Sequence, residues 1–362
     1  MPETSEPELP QTEAHVAEVC DLGDPVIAPP SIDPNTSPPW RSTLSSVFFG
    51  SDGLRAGWAL LIYLALFFAL SSATSLVIKQ IHSHLHHAQS EARSPLKPST
   101  VLVGEGLLAA VAMLSTWIMA KIERKPFQAY GLAPADWLPR LLAGLAWGFG
   151  FLSLLVFALR SMGLLVFNGQ LLSRNDAIGY GALWFASFLA VGFFEETFFR
   201  GYMQATLARG FSGVYGWFGA PNCQALGFWS SAVLLSFGFG FTHKSNAGES
   251  PVGLLSVGLV GVVFCLSLWR TGSLWWAIGL HAAWDWAQSF LYGVADSGTI
   301  VAGRLFATHP VGRPILSGGL TGPEGSIFIV PVILLMVIVI VVTLPRRAAS
   351  VPCETPPIVE LH

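Results

Sequence analysis

The sequence predicts an all-α, polytopic membrane helical bundle with about eight transmembrane spans, and three observations lead there. Hydrophobic residues make up 52% of the 362 residues and charged residues only 11%, against about 25% charged in a soluble domain. Long apolar stretches recur, each near the roughly 20 residues that an α-helix needs to cross about 30 Å of hydrocarbon. Glycine numbers 37, which suits close approach of helices in lipid. A net charge of −3 offers no basic field, so nucleic acid is excluded as a partner.

In chain order, residues 1–45 are acidic and proline-rich, without an apolar core to a signal peptide. Such a segment buries too little apolar surface to offset its ordering entropy and is expected to be a disordered tail. Residues 46–176 then hold the N-terminal helices, with spans expected at Gly57–Ile78, Val101–Ala120 and Leu141–Leu159. Residues 177–345 form the second group, with spans at Gly181–Phe199, Phe228–Phe241, Val252–Trp269, Leu274–Tyr292 and Ile327–Leu344. Residues 346–362 are a short C-terminal tail.

Trp58, Trp137, Trp184, Trp229, Trp269 and Trp275 stand near span ends, as in an interfacial aromatic belt, although some could equally pack inside. Lys121–Lys125 and Arg346–Arg347 flank span ends and favour both termini on the cytoplasmic side of a cell membrane. His82, His84, His86 and His87 lie between two spans with no carboxylate at ligand spacing, and read as a polar connector rather than a metal site. No CxxC pair points to a zinc ribbon.

Titratable residues inside apolar spans are costly, so each raises a functional question. The second group of spans collects them in three clusters. The first is Glu195-Glu196-Thr197-Phe198-Phe199-Arg200. Adjacent carboxylates on a helix point about 100° apart, whereas Glu196 and Arg200 share a face and can pair. That leaves Glu195 for chemistry, or the whole set as an interfacial ion-pair patch. The second is Phe239-Gly240-Phe241-Thr242-His243, where a lone histidine also reads as a packed residue. The third is His281-Ala282-Ala283-Trp284-Asp285, whose two polar side chains fall on one stripe and must face the bundle interior or a wet cavity.

Taken in order, the three clusters resemble the motifs of the CPBP family: type II CAAX prenyl endopeptidases and prokaryotic relatives that include bacteriocin self-immunity proteins. Those motifs are Glu-Glu-x-x-x-Arg, Phe-x-x-x-His and His-x-x-x-Asn or Asp. Glu105, Tyr130-Gly131-Leu132 and Gly322-Pro323-Glu324-Gly325-Ser326 extend the likeness to about Val101–Leu344. The resemblance implies a metal-independent intramembrane endopeptidase acting on a membrane-associated or CAAX-like protein or peptide. It implies Glu195 as the base that activates water, helped by His243, with His281 and Asp285 facing the tetrahedral intermediate. Glu196, Arg200 and Phe239 would support the site, with no metal and no cofactor.

A low-dielectric cavity disfavours a charged carboxylate and brings such a group into the working range of a base. Asp285 departs from the more common asparagine: an ionised carboxylate cannot donate to an oxyanion. Two further readings stay open at this point. One is a zinc protease using Glu195, His243 and His281. The other is a non-enzymatic membrane immunity or scaffold protein; a proton-coupled transporter is disfavoured, because the titratable residues cluster in three spans and no internal repeat is seen.

Depth also matters. With a span ending at Phe199, Glu195 sits near one face of the membrane, while a span from Phe228 carries His243 toward the other. Convergence of Glu195, His243 and His281 in one cavity then requires the fifth helix to start deeper in the membrane or to tilt strongly, with Phe211–Asn222 as the segment that could dip in and shift the register.

Overall fold

The computed structural model describes residues 47–50, 53–85 and 96–345. The acidic tail, the side chains of the His82–His87 tract and the C-terminal tail lie outside the described residues.

Each apolar stretch becomes a helix because its backbone groups have no other partner in hydrocarbon. The chain runs through α1 (Ala56–Leu85), α2 (Pro98–Glu123), α3 (Trp137–Ser161), α4 (Arg174–Glu195), α5 (Gln204–Trp217), α6 (Cys223–Thr242), α7 (Pro251–Thr271) and α8 (Trp275–Asp285). The short α9 (Pro314–Ser317) and α10 (Ile329–Thr343) close the bundle. Two small antiparallel sheets accompany it, β1 (Phe49–Gly50) with β2 (Gly53–Leu54), and β3 (Leu165–Gln170) with β4 (Phe306–Pro310).

Among the described residues, six helices are long and apolar enough to cross a membrane, and they correspond to the first six expected spans. The expected seventh and eighth differ. The seventh forms α8 and a π-helical extension, Trp286–Leu291; together they rise about 25 Å. The eighth, α10, has 15 residues and rises about 22 Å, short of a 30 Å core.

α8 is the hub rather than a peripheral span. Trp276, Ala277, Ile278 and Ala282 are fully buried. Glycines bring α3 against it: a Cβ at Gly144 or Gly148 would overlap the carbonyl oxygens of Trp276 and Leu280, and one at Gly279 would overlap that of Leu141. Dispersion between closely approaching backbones drives such packing in lipid. One of the tryptophans near span ends packs inside rather than at an interface. Trp184 is fully buried and donates from its ring nitrogen to Ala302 O at 2.9 Å.

The fourth span is longer than the hydropathy pattern suggests. Helix continues from Arg174 to Trp217, 44 residues, with a π-helical stretch at Glu196–Met203. Glu195 therefore stands near the middle of a helix, not at its end. Its distance back from the α5–α6 turn at Trp217 is 22 residues, and His243 lies 20 residues on from Cys223. At 1.5 Å per residue both are roughly 30–33 Å from that turn, so the two fall at one level. The expected dip at Phe211–Asn222 is not what achieves this: Phe211–Trp217 is the last part of α5.

Candidate active site

Two π-helical segments begin directly after the two acidic motif positions, one at Glu196 and one at Trp286. Such local widening is frequent at functional sites. Here it lets polar side chains turn inward without ending either helix.

The angular separation of Glu195 and Glu196 divides their environments. Glu196 is fully buried, and its Oε1 lies 3.1 Å from Arg200 Nη1. The Arg200 guanidinium in turn lies 4.5 Å from the Phe239 ring centroid. Its room comes from Gly261, where a Cβ would stand 2.5 Å from Arg200 Nη2. An ion pair within the first motif thus holds Arg200 behind the site, and the cation–π contact of Arg200 joins that motif to the second.

Glu195 points the other way, into a cavity of about 560 Å³. His243, His281 and Asp285 line the same cavity. All four residues proposed from sequence as catalytic therefore meet in one chamber, and Phe239 forms part of its wall.

His281 is the junction. Its Nδ1 lies 3.0 Å from Glu196 Oε1. Its Nε2 lies 3.5 Å from both Glu195 Oε2 and Asp285 Oδ2. A carboxylate oxygen only accepts, so Nδ1 carries the hydrogen that faces Glu196. At 3.5 Å the two Nε2 contacts are long for direct hydrogen bonds, leaving space among the three groups for a reacting atom.

His243 has its ring fixed differently. Nδ1 lies 3.1 Å from Phe239 O, and the ring stands edge-on to Phe239 at 5.0 Å. A carbonyl oxygen accepts only, so Nδ1–H donates and a neutral His243 keeps the Nε2 lone pair free. No group of three or more His, Cys, Asp or Glu side chains among the described residues is arranged to hold a metal ion.

Residues 178–287 match the family model described as type II CAAX prenyl endopeptidase, Rce1-like. That segment of the chain is similar to this family of CAAX proteases. The Rce1-like segment starts within α4 and ends just past Asp285, so it contains all three motifs. With the chain's apolar helices it supports an integral multi-pass membrane protein. Comparison with curated proteins and with solved structures finds no match.

Three further carboxyls on the cavity wall received no role from the sequence: Glu105, Asp296 and Glu324. Glu324 accepts from Gln288 Nε2 at 2.6 Å and from the Ser297 backbone N–H and hydroxyl. Asp296 accepts from Ser289 Oγ at 3.0 Å. Both belong to connecting segments at one end of the chamber. Burial pushes Asp296 up to about 6. Burial, reinforced by the Asp296 charge, pushes Glu324 up to about 8. Glu324 carried a signal, since it sits in the Gly-Pro-Glu-Gly run before α10. So did Glu105, a carboxylate within an apolar span. Asp296 is a loop aspartate that only tertiary folding brings inward.

Proposed function

We propose that the protein is an intramembrane glutamic-type endopeptidase that hydrolyses a peptide bond in a membrane-associated, CAAX-like substrate without a metal. The observation that carries this is the meeting of Glu195, His243, His281 and Asp285 on one 560 Å³ chamber. Three helices contribute them, and an ion pair fixes the first of these from behind.

In this reading a water sits between Glu195 and the His243 Nε2 lone pair. Glu195 takes the water's proton as the oxygen attacks the scissile carbonyl. The developing oxyanion faces His281 and Asp285, at the point where His281 Nε2 is 3.5 Å from two carboxyl groups. His281 donates there in its Nε2-protonated form, while its Nδ1–H stays bound to Glu196. Glu196, Arg200 and Phe239 hold the ring positions and touch no reacting atom. The apolar part of the wall, including Trp184, Phe188 and Val191, suits the lipid-like portion of a membrane-associated substrate.

The test is cleavage of a farnesylated CAAX peptide by purified protein in detergent micelles. Wild type is expected to cleave, and Glu195→Gln to lose about 10²–10⁴ of the rate, the usual worth of a general base. A strong chelator is expected to leave the wild-type rate unchanged. Equal rates for wild type and Glu195→Gln would remove the glutamic mechanism, and inactivation by the chelator would point to the Glu195, His243 and His281 zinc set.

A further inference from the structure

Glu105 is a carboxyl within α2 with no structural task. Among the described residues it has no hydrogen-bond or ion-pair partner. A polar group placed in a span without such a partner is costly and marks function. Val101 and Gly104 beside it on the wall carry no polar side chain.

Two cross-links fix where it stands. Ser187 Oγ donates to Pro98 O at 2.8 Å, tying α4 to the start of α2. Arg209 Nη2 lies 2.7 Å from Glu123 Oε1, tying α5 to the end of α2. The α4–α5 helix and α2 therefore run side by side in the same direction. Glu195 is eight residues beyond Ser187, and Glu105 seven beyond Pro98. At 1.5 Å per residue these are about 12 Å and about 10.5 Å, so the two carboxyls stand level on adjoining helices. Both face the same cavity.

Peptide hydrolysis needs a proton at two places. The attacking water must lose one, and the departing amine must gain one. From this placement we infer that Glu105 is the second carboxyl of the reaction, the proton donor to the leaving amine. The inference rests on the endopeptidase reading above. The new C–O bond forms as Glu195 takes the water's proton. The C–N bond then breaks, its electron pair passes to nitrogen, and the Glu105 O–H proton follows it. Glu195 ends with one proton more and Glu105 with one fewer. Transfer between the two level carboxyls through cavity water resets both. A base and an acid on separate side chains explain why the chamber carries a carboxyl that nothing else holds.

The test compares a farnesylated CAAX peptide with its depsipeptide analogue, in which an ester replaces the scissile amide. An alkoxide leaves without prior protonation and an amide nitrogen does not. Glu105→Gln is expected to slow amide cleavage about 100-fold and leave ester cleavage within about threefold. Glu105→Asp, which keeps the acid on a shorter arm, is expected to recover part of the amide rate. Thermal unfolding should match wild type, because the side chain has no partner to lose. Unchanged amide cleavage overturns the inference, and so does an equal loss on both substrates, which would mean a positioning role. Glu195→Gln separates the two readings. It should slow both substrates, whereas wild-type cleavage of both by Glu195→Gln would sink the endopeptidase mechanism itself, whatever Glu105→Gln does.

Discussion

His281 Nδ1 lies 3.0 Å from Glu196 Oε1, and that same oxygen lies 3.1 Å from Arg200 Nη1. One buried carboxylate oxygen thus ties the third motif to the first. Arg200 is 1% exposed and has no other anion beside it among the ion pairs described. Removing one partner of a buried pair leaves an uncompensated charge, which costs about 3–5 kcal/mol. Glu196→Ala is expected to lose stability of that order and to free the His281 ring. Glu196→Gln keeps an acceptor oxygen and should lose less. Thermal unfolding in detergent ranks the two, and equal stability of Glu196→Ala and wild type would contradict the assigned role.

Gly261 is the other half of the Arg200 site. A methyl there would stand 2.5 Å from Arg200 Nη2 and 2.9 Å from Ser236 Cβ. Overpacking of this kind costs about 1–3 kcal/mol. Gly261→Ala should therefore both destabilise the protein and displace the guanidinium from Phe239. Gly150→Ala is the matched control. Its Cβ would meet nothing within 4 Å, and the gain in helix propensity is worth up to about 1 kcal/mol. Opposite signs in the two unfolding midpoints are expected.

The motif spacing made much of this site legible. Placing Glu195 and Glu196 about 100° apart is enough to send one to the cavity and one to Arg200. Placing His281 and Asp285 one turn apart is enough to put them on one stripe. Helix length was not legible. Phe199-Arg200-Gly201 breaks the hydropathy of the fourth span, so the pattern ends it there. Arg200 is in fact neutralised internally by Glu196, and the helix runs on to Trp217. For the same reason the depth of Glu195 was misplaced by half a helix. The hub position of α8 was equally hidden, because a fully buried helix and a lipid-facing one are both apolar all round.

Asp285 offers a third prediction. It lines the cavity, with Oδ2 3.5 Å from His281 Nε2. An asparagine there keeps an acceptor for His281 and adds an amide donor for an oxyanion. Asp285→Asn is therefore expected to cleave within about tenfold of wild type, while Asp285→Ala, which leaves neither an acceptor beside His281 nor a donor for the oxyanion, should lose more. The farnesylated CAAX peptide assay decides it. An inactive Asp285→Asn would mean that the carboxylate charge itself is required.

The connecting segments at one end of the chamber should respond to pH with a definite sign. Burial holds Asp296 at about 6, above its ordinary 3.8, and Glu324 at about 8, above its ordinary 4.5. A carboxyl raised in the folded state binds more protons there than in the unfolded chain. Stability then falls as pH rises between the two values. For Asp296 that window runs from about pH 4 to pH 6, and for Glu324 from about pH 4.5 to pH 8. Ser297, which donates to Glu324 from both its backbone and its hydroxyl, reports on the same loop. Hydrogen exchange across residues 293–299 should therefore show less protection at pH 8.5 than at pH 5.5, after correction for intrinsic rates. Glu324→Gln removes the upper window while keeping an acceptor for Ser297. Its loop should lose less protection than wild type between pH 6.5 and pH 8.5, and a wild-type slope in that variant would rule Glu324 out as the titrating group.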